Sequence, residues 1–209
     1  MKTVFNILMV VAVVLLGYLC VKTITTPIKF DEQRAAREEV IINRLCDIRK
    51  VQVEYKKQYN QYTGSLDSLV AFLKNGKIAT IYKEGELTDQ QLEEGLTEKK
   101  AVEMGLIRRD TSYVNVAKSL FDENFNVDSI VYVPFGNGAK FEMAAAVLTS
   151  QSGVSVPVFE AKTPYNVYLQ GMDRQELINL NDVARKLDRY AGLKVGDVNE
   201  ANNNAGNWE

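Results

Sequence analysis

Residues 4–21 read VFNILMVVAVVLLGYLCV, a run in which Asn6 is the only strongly polar side chain. At a rise of about 1.5 Å per residue, a helix of this length covers about 27 Å, close to the thickness of the hydrocarbon layer of a bilayer. Bulky Tyr18 and Leu19 stand where a signal peptidase requires small side chains. The run therefore predicts a retained transmembrane anchor over residues 1–24 that contacts membrane lipid through residues 4–21. A cleaved signal peptide is the alternative.

The charges around this run bear on which side of the membrane holds the rest of the chain. One lysine precedes the run, and four basic residues follow it: Lys22, Lys29, Arg34 and Arg37. Counted literally, these charges keep the body in the cytoplasm. A short charged start before a single span is nevertheless the usual form of an export anchor. We therefore expect an inner-membrane, single-pass protein with a periplasmic body.

The composition of the whole chain limits the classes of function. Its 209 residues include 25 basic and 27 acidic side chains, 46% are apolar, and none is histidine. Near-neutral charge gives no bulk attraction to nucleic acid, and the isolated pair Arg108-Arg109 lacks interleaved stacking residues. Without histidine, serine–histidine catalysis, cysteine–histidine catalysis and ordinary zinc sites lose their key residue. The length fits one medium domain or two small ones.

Beyond the anchor, the sequence predicts a break and then a long helix. Pro27 disfavours helix at Thr26, so a hinge is expected over residues 25–30. A stalk helix follows over residues 31–60, because this segment contains neither proline nor glycine. Residues at alternating spacings of four and three share one face of it, which we expect to pack in the protein's own core; a coiled-coil seam is the alternative. That face comprises Ile41, Leu45, Ile48, Gln52, Tyr55, Tyr59 and Tyr62.

An α+β body is predicted over residues 31–198, in which the stalk helix packs on an antiparallel sheet. Between the turn residues Thr63-Gly64 and Asn75-Gly76 lies a predicted short helix, residues 65–75, and a strand follows over residues 78–83. Residues 84–103 are acidic and weakly patterned. We expect them to form an excursion on the surface, with a partner-binding loop as the alternative.

The second half of the chain predicts a β region over residues 112–169. Short runs rich in Val, Tyr and Phe are separated by turn residues, which indicates three to five antiparallel strands. The runs are 112–116, 129–133, 141–149, 154–161 and a weaker one at 166–169.

The C-terminal part is predicted to hold one helix and an edge strand. Asp173 is an N-cap residue for a helix over residues 173–191, whose apolar positions Leu177, Leu180, Val183 and Leu187 follow helical spacing. A short edge strand is expected at residues 193–195. The asparagine-rich tail, residues 199–209, either frays or docks on the body through Trp208, the only tryptophan.

Two segments carry a family resemblance. Residues 45–55 read LCDIRKVQVEY and residues 59–69 read YNQYTGSLDSL, after an apolar N-terminal helix and before a distal β region. This order of parts resembles type IV pilins and the pseudopilins of type II secretion, over about the first third of the chain. Those families carry a prepilin-peptidase site, with glycine before an aromatic residue and glutamate five residues into the mature helix, and residues 1–6 lack both. The resemblance implies a membrane-anchored envelope protein with a pilin-like ground plan.

No pattern in the sequence indicates a catalytic, cofactor-binding or metal site. The adjacent pairs Glu38-Glu39 and Glu93-Glu94 diverge by about 100° on a helix, which is typical of a solvated face. Residues 122–128 place oxygen ligands at alternate positions, as calcium would accept, but lack the glycine and final glutamate of an EF-hand. Cys46 could form an intermolecular disulfide in an oxidising compartment, although burial as a small hydrophobic residue is the expectation.

These observations favour a membrane-anchored structural or scaffolding subunit of a larger envelope assembly, and not an enzyme. Other envelope proteins are its expected partners, and self-association is a further option. A membrane-tethered ligand-binding or sensory domain is the alternative, which requires an apolar pocket lined by tyrosines with a few converging polar groups. A hydrolase based on Asp, Glu, Ser, Lys or Tyr would require a deep cleft with converging carboxylates.

Overall fold

The fold of the chain is α+β, as the sequence predicts. The computed structural model describes residues 2–84, 97, 100, 104–105, 108–149 and 153–209. These residues form two compact units: one combines Met1–Leu66 with Asp128–Glu209, and the other consists of Asp67–Val127.

The first helix, α1 (Lys2–Tyr59), is continuous, so the predicted break over residues 25–30 is wrong. Pro27 lies inside the helix. Its ring nitrogen has no hydrogen to donate, so the carbonyl of Thr23 loses its helical partner, at a cost of about 3 kcal/mol. The backbone bonds on both sides outweigh this local loss. The anchor and the stalk are therefore one helix.

The N-terminal part of α1 has the properties of a membrane anchor. The large apolar side chains between residues 4 and 21 are 47–69% exposed. An 18-residue window has a mean hydropathy of 2.7, and none of it is buried among the described residues. By length and composition, this helix can cross a membrane.

The first unit contains a three-stranded antiparallel sheet in the order β3-β4-β5. Its strands are β3 (Glu142–Thr149), β4 (Ser155–Pro164) and β5 (Gly192–Gly196). The strands predicted at 141–149 and 154–161 and the edge strand at 193–195 are thereby confirmed. The register of the sheet is defined by Lys162 of β4, which lies opposite Glu142 of β3 and opposite Lys194 of β5.

The stalk part of α1 packs against β4 and β5. Four predicted core positions of the stalk are fully buried: Ile41, Leu45, Ile48 and Gln52. This confirms the packing of the stalk in the protein's own core. The buried face stops before the end of the helix, since Tyr59 is 53% exposed.

Two of the predicted strands are short helices instead. A 3₁₀-helix, Val127–Val131, overlaps the first three residues of the run at 129–133. Most of the run at 166–169 belongs to α4 (Tyr165–Tyr168). Arg44 of α1 donates to the Ser129 carbonyl oxygen at 2.5 Å and to its hydroxyl at 2.9 Å. This long-range contact holds the chain in a turn, so tertiary packing overrides strand propensity here.

The second unit contains a two-stranded antiparallel sheet, which one helix precedes and another follows along the chain. Its elements are α2 (Leu66–Asn75), β1 (Lys77–Glu84), β2 (Arg108–Asn115) and α3 (Val116–Leu120). They confirm the helix predicted at 65–75 and the strands at 78–83 and 112–116. The excursion predicted for residues 84–103 lies almost wholly outside the described residues.

Asp173 caps α5 (Arg174–Lys186) as predicted, because its carboxylate accepts from the backbone N–H groups of Gln175 and Glu176 at 2.9 and 3.1 Å. The helix ends at Lys186 and not at residue 191. Asp188 adopts a φ of 51°, a left-handed conformation that turns the chain toward β5.

The C-terminal tail is docked, so the frayed alternative is wrong. Gly206 forms a bridge to Val195 of β5. The Asn207 side chain accepts from the Lys194 N–H at 3.1 Å and donates to the Gly192 carbonyl at 2.9 Å. The Trp208 ring lies over Gly206, where a Cβ atom would not fit. The tail thus covers the outer edge of β5.

A candidate binding groove beside the stalk helix

An open groove of about 690 Å³ lies in the first unit, between α1, α5 and the tail. We call it the stalk groove. It is lined by Arg34, Tyr165, Leu180, Val183, Ala184, Leu187, Asp188, Arg189, Tyr190, Lys194, Asn207 and Glu209.

The apolar wall of the stalk groove comes from α5. Of the apolar face predicted for this helix, Val183 is 53% exposed and Leu187 is 58% exposed, while Leu177 and Leu180 are half-buried. Ala184 alone in α5 is buried. The body therefore leaves Val183 and Leu187 of this face uncovered. These side chains face the groove and solvent, which leaves an unpartnered apolar surface.

Arg34, the α1 residue that lines the stalk groove, belongs to a polar network with Glu38 and Tyr168. Glu38 accepts from the Arg34 guanidinium at 3.0 Å and from the Tyr168 hydroxyl at 3.1 Å, both through Oε1. Burial lowers the pKa of Arg34, but the Glu38 charge and hydrogen bond outweigh this effect and raise it. Burial raises the pKa of Tyr168 well above its usual range, and the Glu38 charge adds to the effect. The network fixes Arg34 at the groove with its charge already paired.

Lys194 and Glu209 also reach the stalk groove with their charges paired. Lys194 lies 2.5 Å from Asp197 and 3.7 Å from Glu160, and Glu209 lies 2.7 Å from Arg49. Burial lowers the pKa of Lys194, but its bond to Asp197 outweighs this and raises it. The hydrogen bond from Arg49 lowers the pKa of the Glu209 carboxyl.

Arg189 is the exception among the cations of the stalk groove. It is exposed, and its guanidinium makes no hydrogen bond or ion pair with any residue that the structure describes. Tyr165 and Tyr190 flank the groove, and burial raises the pKa of both phenols, so both are neutral donors. Its neighbour Asp188 also lines the groove and is exposed, and its carboxylate forms no ion pair among the described residues. The groove therefore offers an apolar wall, two phenols and two adjacent charges of opposite sign.

The sequence did not predict this site. The sequence reveals only part of it. The spacing of Val183 and Leu187 indicates an apolar helix face, but nothing in the sequence shows that the fold leaves that face uncovered. Arg34, Tyr165 and Lys194 meet only through tertiary structure, because they come from three distant segments.

Two further features of the sequence, the oxygen-rich segment 122–128 and Cys46, do not line the stalk groove. Within the described ranges, no three residues of the His, Cys, Asp and Glu types come together to hold a metal ion, and Asp122 and Glu123 are exposed. Cys46 is half-buried, and its sulfur accepts from the Arg49 guanidinium at 3.7 Å. The thiol is therefore not the fully buried hydrophobic residue that was expected.

No protein-family model, curated protein or solved structure matches this chain.

Proposed function

We propose that this chain is a single-pass, membrane-anchored envelope protein whose body is a structural or scaffolding subunit of a larger assembly. The observation that carries the proposal is the open apolar wall of the stalk groove. Val183 of α5 and Leu187, which directly follows it, are more than half exposed, although Asp173 caps this helix and the helix is regular. Neighbouring apolar side chains left open on an ordered helix are the kind of surface that a partner protein can cover.

The anchor supports the proposal because it places the body close to the membrane. Phe30 is buried, only nine residues after Val21 on the same helix. At about 1.5 Å per residue, the body begins about 13 Å beyond the apolar run. Its natural partners are proteins held at the same membrane. An inner-membrane location, a periplasmic body and the pilin-like order of elements belong to the same proposal.

The test is purification of the tagged full-length chain from detergent-solubilised membranes, with identification and quantification of co-purifying proteins. We expect a complex of fixed stoichiometry that is lost in Leu187→Asp, because a charge on the wall opposes apolar docking. Lys186→Asp is the matched control, since it changes the charge at the neighbouring exposed position of α5. A chain that purifies alone, or a complex that both variants retain unchanged, contradicts the scaffold function.

A membrane-tethered ligand-binding domain is the second candidate. The volume of about 690 Å³ and the two tyrosines favour it, because ligand pockets combine this size with apolar walls and a few polar groups. Native mass spectrometry of the full-length chain in nanodiscs tests it. A small molecule retained by the chain, and lost in Val183→Trp, would support ligand binding; a ligand-free mass would count against it.

A further inference from the structure

Phe135 lies on a tight hairpin of the first unit, residues 131–141, in a backbone conformation that a bulky residue rarely adopts. Its φ is 62°, in the left-handed region. The Gly136 N–H donates to the Val133 carbonyl at 3.0 Å, which closes a turn with Pro134 in second place and Phe135 in third. Turns of this pattern normally hold glycine or asparagine in third place, because that position requires a positive φ.

The Phe135 ring does not fill the core in return for this strain, since the residue is 48% exposed. The glycine that follows is fixed by packing, because a Cβ atom at Gly136 would lie 3.0 Å from both Val133 and Val167. Local stability therefore explains the glycine but not the phenylalanine, which asparagine would replace with less strain. Strained residues of this kind are found at functional sites, where the position of the side chain matters more than local stability.

Polar contacts hold the Phe135 ring in place. The Gln170 side chain donates to the Phe135 carbonyl at 3.1 Å. The Arg37 guanidinium lies 5.2 Å from the ring centroid, a cation–π distance. Arg37 is itself fixed, because its Nη1 donates to the Tyr168 carbonyl at 2.7 Å and to the Gln170 carbonyl at 3.2 Å. An exposed ring that is already ordered loses little freedom when a partner covers it.

The charges beside the hairpin are positive and uncompensated. Arg37 is half-buried and forms no ion pair with the residues that the structure describes, and its Nε and Nη2 groups have no hydrogen-bond partner there. Lys140 lies 5.9 Å from the centroid of the Tyr132 ring, which is 45% exposed. It too forms no ion pair within the described ranges. We call Arg37, Tyr132, Phe135 and Lys140 the hairpin patch.

The segments that surround the hairpin patch bring no carboxylate to offset these cations. Residues 129–141 and 165–172 contain neither Asp nor Glu. On α1, Glu38 already accepts two hydrogen bonds. Glu39 is two residues from Arg37, so it lies about 200° around the helix. The patch therefore selects an anionic partner.

The distance from the membrane decides between a lipid and a protein as that partner. With residues 4–21 in the bilayer, Arg37 lies 16 residues beyond Val21 on one continuous helix, about 24 Å along its axis. Even at a tilt of about 40°, Arg37 remains about 18 Å above the hydrocarbon layer. The headgroup layer extends only about 5–8 Å beyond the hydrocarbon. Anionic headgroups are therefore out of reach, and a protein supplies the negative charge.

We propose that the hairpin patch docks an acidic segment of a partner protein, with an apolar side chain of the partner against the Phe135 ring and a carboxylate on the Nε and Nη2 groups of Arg37. A guanidinium binds a carboxylate through two parallel hydrogen bonds. Aromatic and arginine side chains supply most of the binding energy of protein interfaces. None of the four residues lines the stalk groove, so this is a second docking surface, and it rests on the scaffold function.

Site-specific photo-cross-linking of the full-length chain, in the cells that produce it, tests the hairpin patch. A benzophenone amino acid replaces Phe135, and mass spectrometry identifies the cross-linked peptide after irradiation. We expect one partner segment that is rich in Asp and Glu around the cross-linked position. The same amino acid in place of Tyr113, an exposed aromatic residue of the second unit, is the control and should give severalfold less of this adduct.

The charge requirement is measured on the same adduct. Lys140→Glu should reduce its yield severalfold, because the change replaces an attracting charge by a repelling one. Lys118→Glu, at an exposed position of the second unit, is the matched control and should leave the yield unchanged. Equal yields in the two variants contradict recognition by charge.

Phe135→Asn separates docking from folding. Asparagine tolerates a positive φ, so the melting temperature of the purified chain should stay within a few degrees of the wild type. Co-purification of the protein identified by the cross-link should nevertheless fall severalfold. A strongly lowered melting temperature together with unchanged co-purification would instead give the ring a structural role.

The proposed docking is overturned by an adduct with lipid, with a second copy of this chain or with a segment rich in Lys and Arg, and also by the absence of an adduct. The scaffold function is measured separately, through the complex that Leu187→Asp disrupts. If that complex forms and residue 135 cross-links to no acidic segment, this inference fails alone. A chain that neither co-purifies with other proteins nor cross-links removes both.

Discussion

Gln52 shows how one buried polar residue fixes a corner of the fold. Its amide donates to the Thr63 carbonyl at 2.6 Å and accepts from the Thr63 N–H at 3.1 Å. It is fully buried among the apolar residues of the stalk. The spacing of Gln52 in the sequence places it on the core-facing side of the stalk helix, but the spacing does not reveal its hydrogen-bond partner. The pair ties the end of α1 to the turn that follows it.

We expect Gln52→Leu to destabilise the fold, because it leaves the N–H and the carbonyl of Thr63 buried without partners. Each unsatisfied group costs about 1–3 kcal/mol. Urea unfolding of the chain in detergent, followed by tryptophan fluorescence, measures the loss. Gln33→Leu, at an exposed position of the same helix, is the control and should stay within about 0.5 kcal/mol of the wild type. Equal stability of the two variants would contradict the role of the pair.

Tyr168 should make the fold sensitive to alkaline pH. Burial, reinforced by the Glu38 charge, raises its pKa in the folded chain above the ordinary value of 10.0. The folded state therefore holds this proton more tightly than the unfolded state, and its contribution to stability is complete below pH 10 and falls as the pH rises further. Tyr168→Phe should flatten the decline above pH 10, measured as unfolding free energy against pH. A decline of unchanged slope would assign alkaline unfolding to other groups.

At the scale of elements, the sequence predicts helices and strands well where local pattern and tertiary packing agree. α2, α5, β3, β4 and β5 carry both the spacing and the turn residues of their type. The errors occur where a distant contact decides. Arg44 holds the Ser129 turn, and the long helix on either side of Pro27 outweighs one missing hydrogen bond. No local window of sequence contains those contacts.

α5 illustrates the limit for the candidate site. Its cap and apolar spacing are visible in the sequence, so its existence is predictable. Which apolar residues lie against the body depends on how far the helix sits from α1 and β5. Val183 and Leu187 are left open by that placement, and the sequence pattern of a buried face and of a binding face is the same.

We expect Ile48→Ala to lower the free energy of unfolding by about 2–5 kcal/mol, because Ile48 is fully buried and the change leaves a cavity. Thermal melting and sedimentation of the purified chain measure stability and association separately. Val53→Ala is the control on the same helix, since Val53 is 37% exposed. If Ile48→Ala melts normally but no longer sediments as a dimer, the apolar face of the stalk helix is instead a coiled-coil seam.

At the scale of the whole molecule, the anchor is the strongest sequence signal and the division of the body is the weakest. The apolar run needs no tertiary information to be recognised. The first unit is discontinuous in the chain, since residues 128–209 belong with residues 1–66 and the second unit is inserted between them. Composition along the sequence does not change at these borders, so the body over residues 31–198 reads as one.

We expect the chain to stay in the membrane fraction after alkaline carbonate washing. The apolar side chains of residues 4–21 are exposed along α1, and the hydrocarbon layer of a bilayer would cover them. Val11→Asp with Val14→Asp should weaken retention, because each charge near the bilayer centre costs about 2.5–3.5 kcal/mol. Release of the unmodified chain, or a mature N-terminus beyond Tyr18, would identify a cleaved signal peptide instead.

We expect the body to lie outside the cytoplasm. The short charged start before a single span and the pilin-like order of elements favour export, while the basic residues after the span, such as Lys22 and Lys29, oppose it. Fusions at the C-terminus to a reporter active only in the periplasm and to one active only in the cytoplasm measure the outcome. The periplasmic reporter should be active, and Lys22→Gln with Lys29→Gln should leave it active or raise it, since both changes remove opposing charge. Activity of the cytoplasmic reporter alone would mean that the charge balance decides the orientation, and the same double variant should then shift molecules toward export.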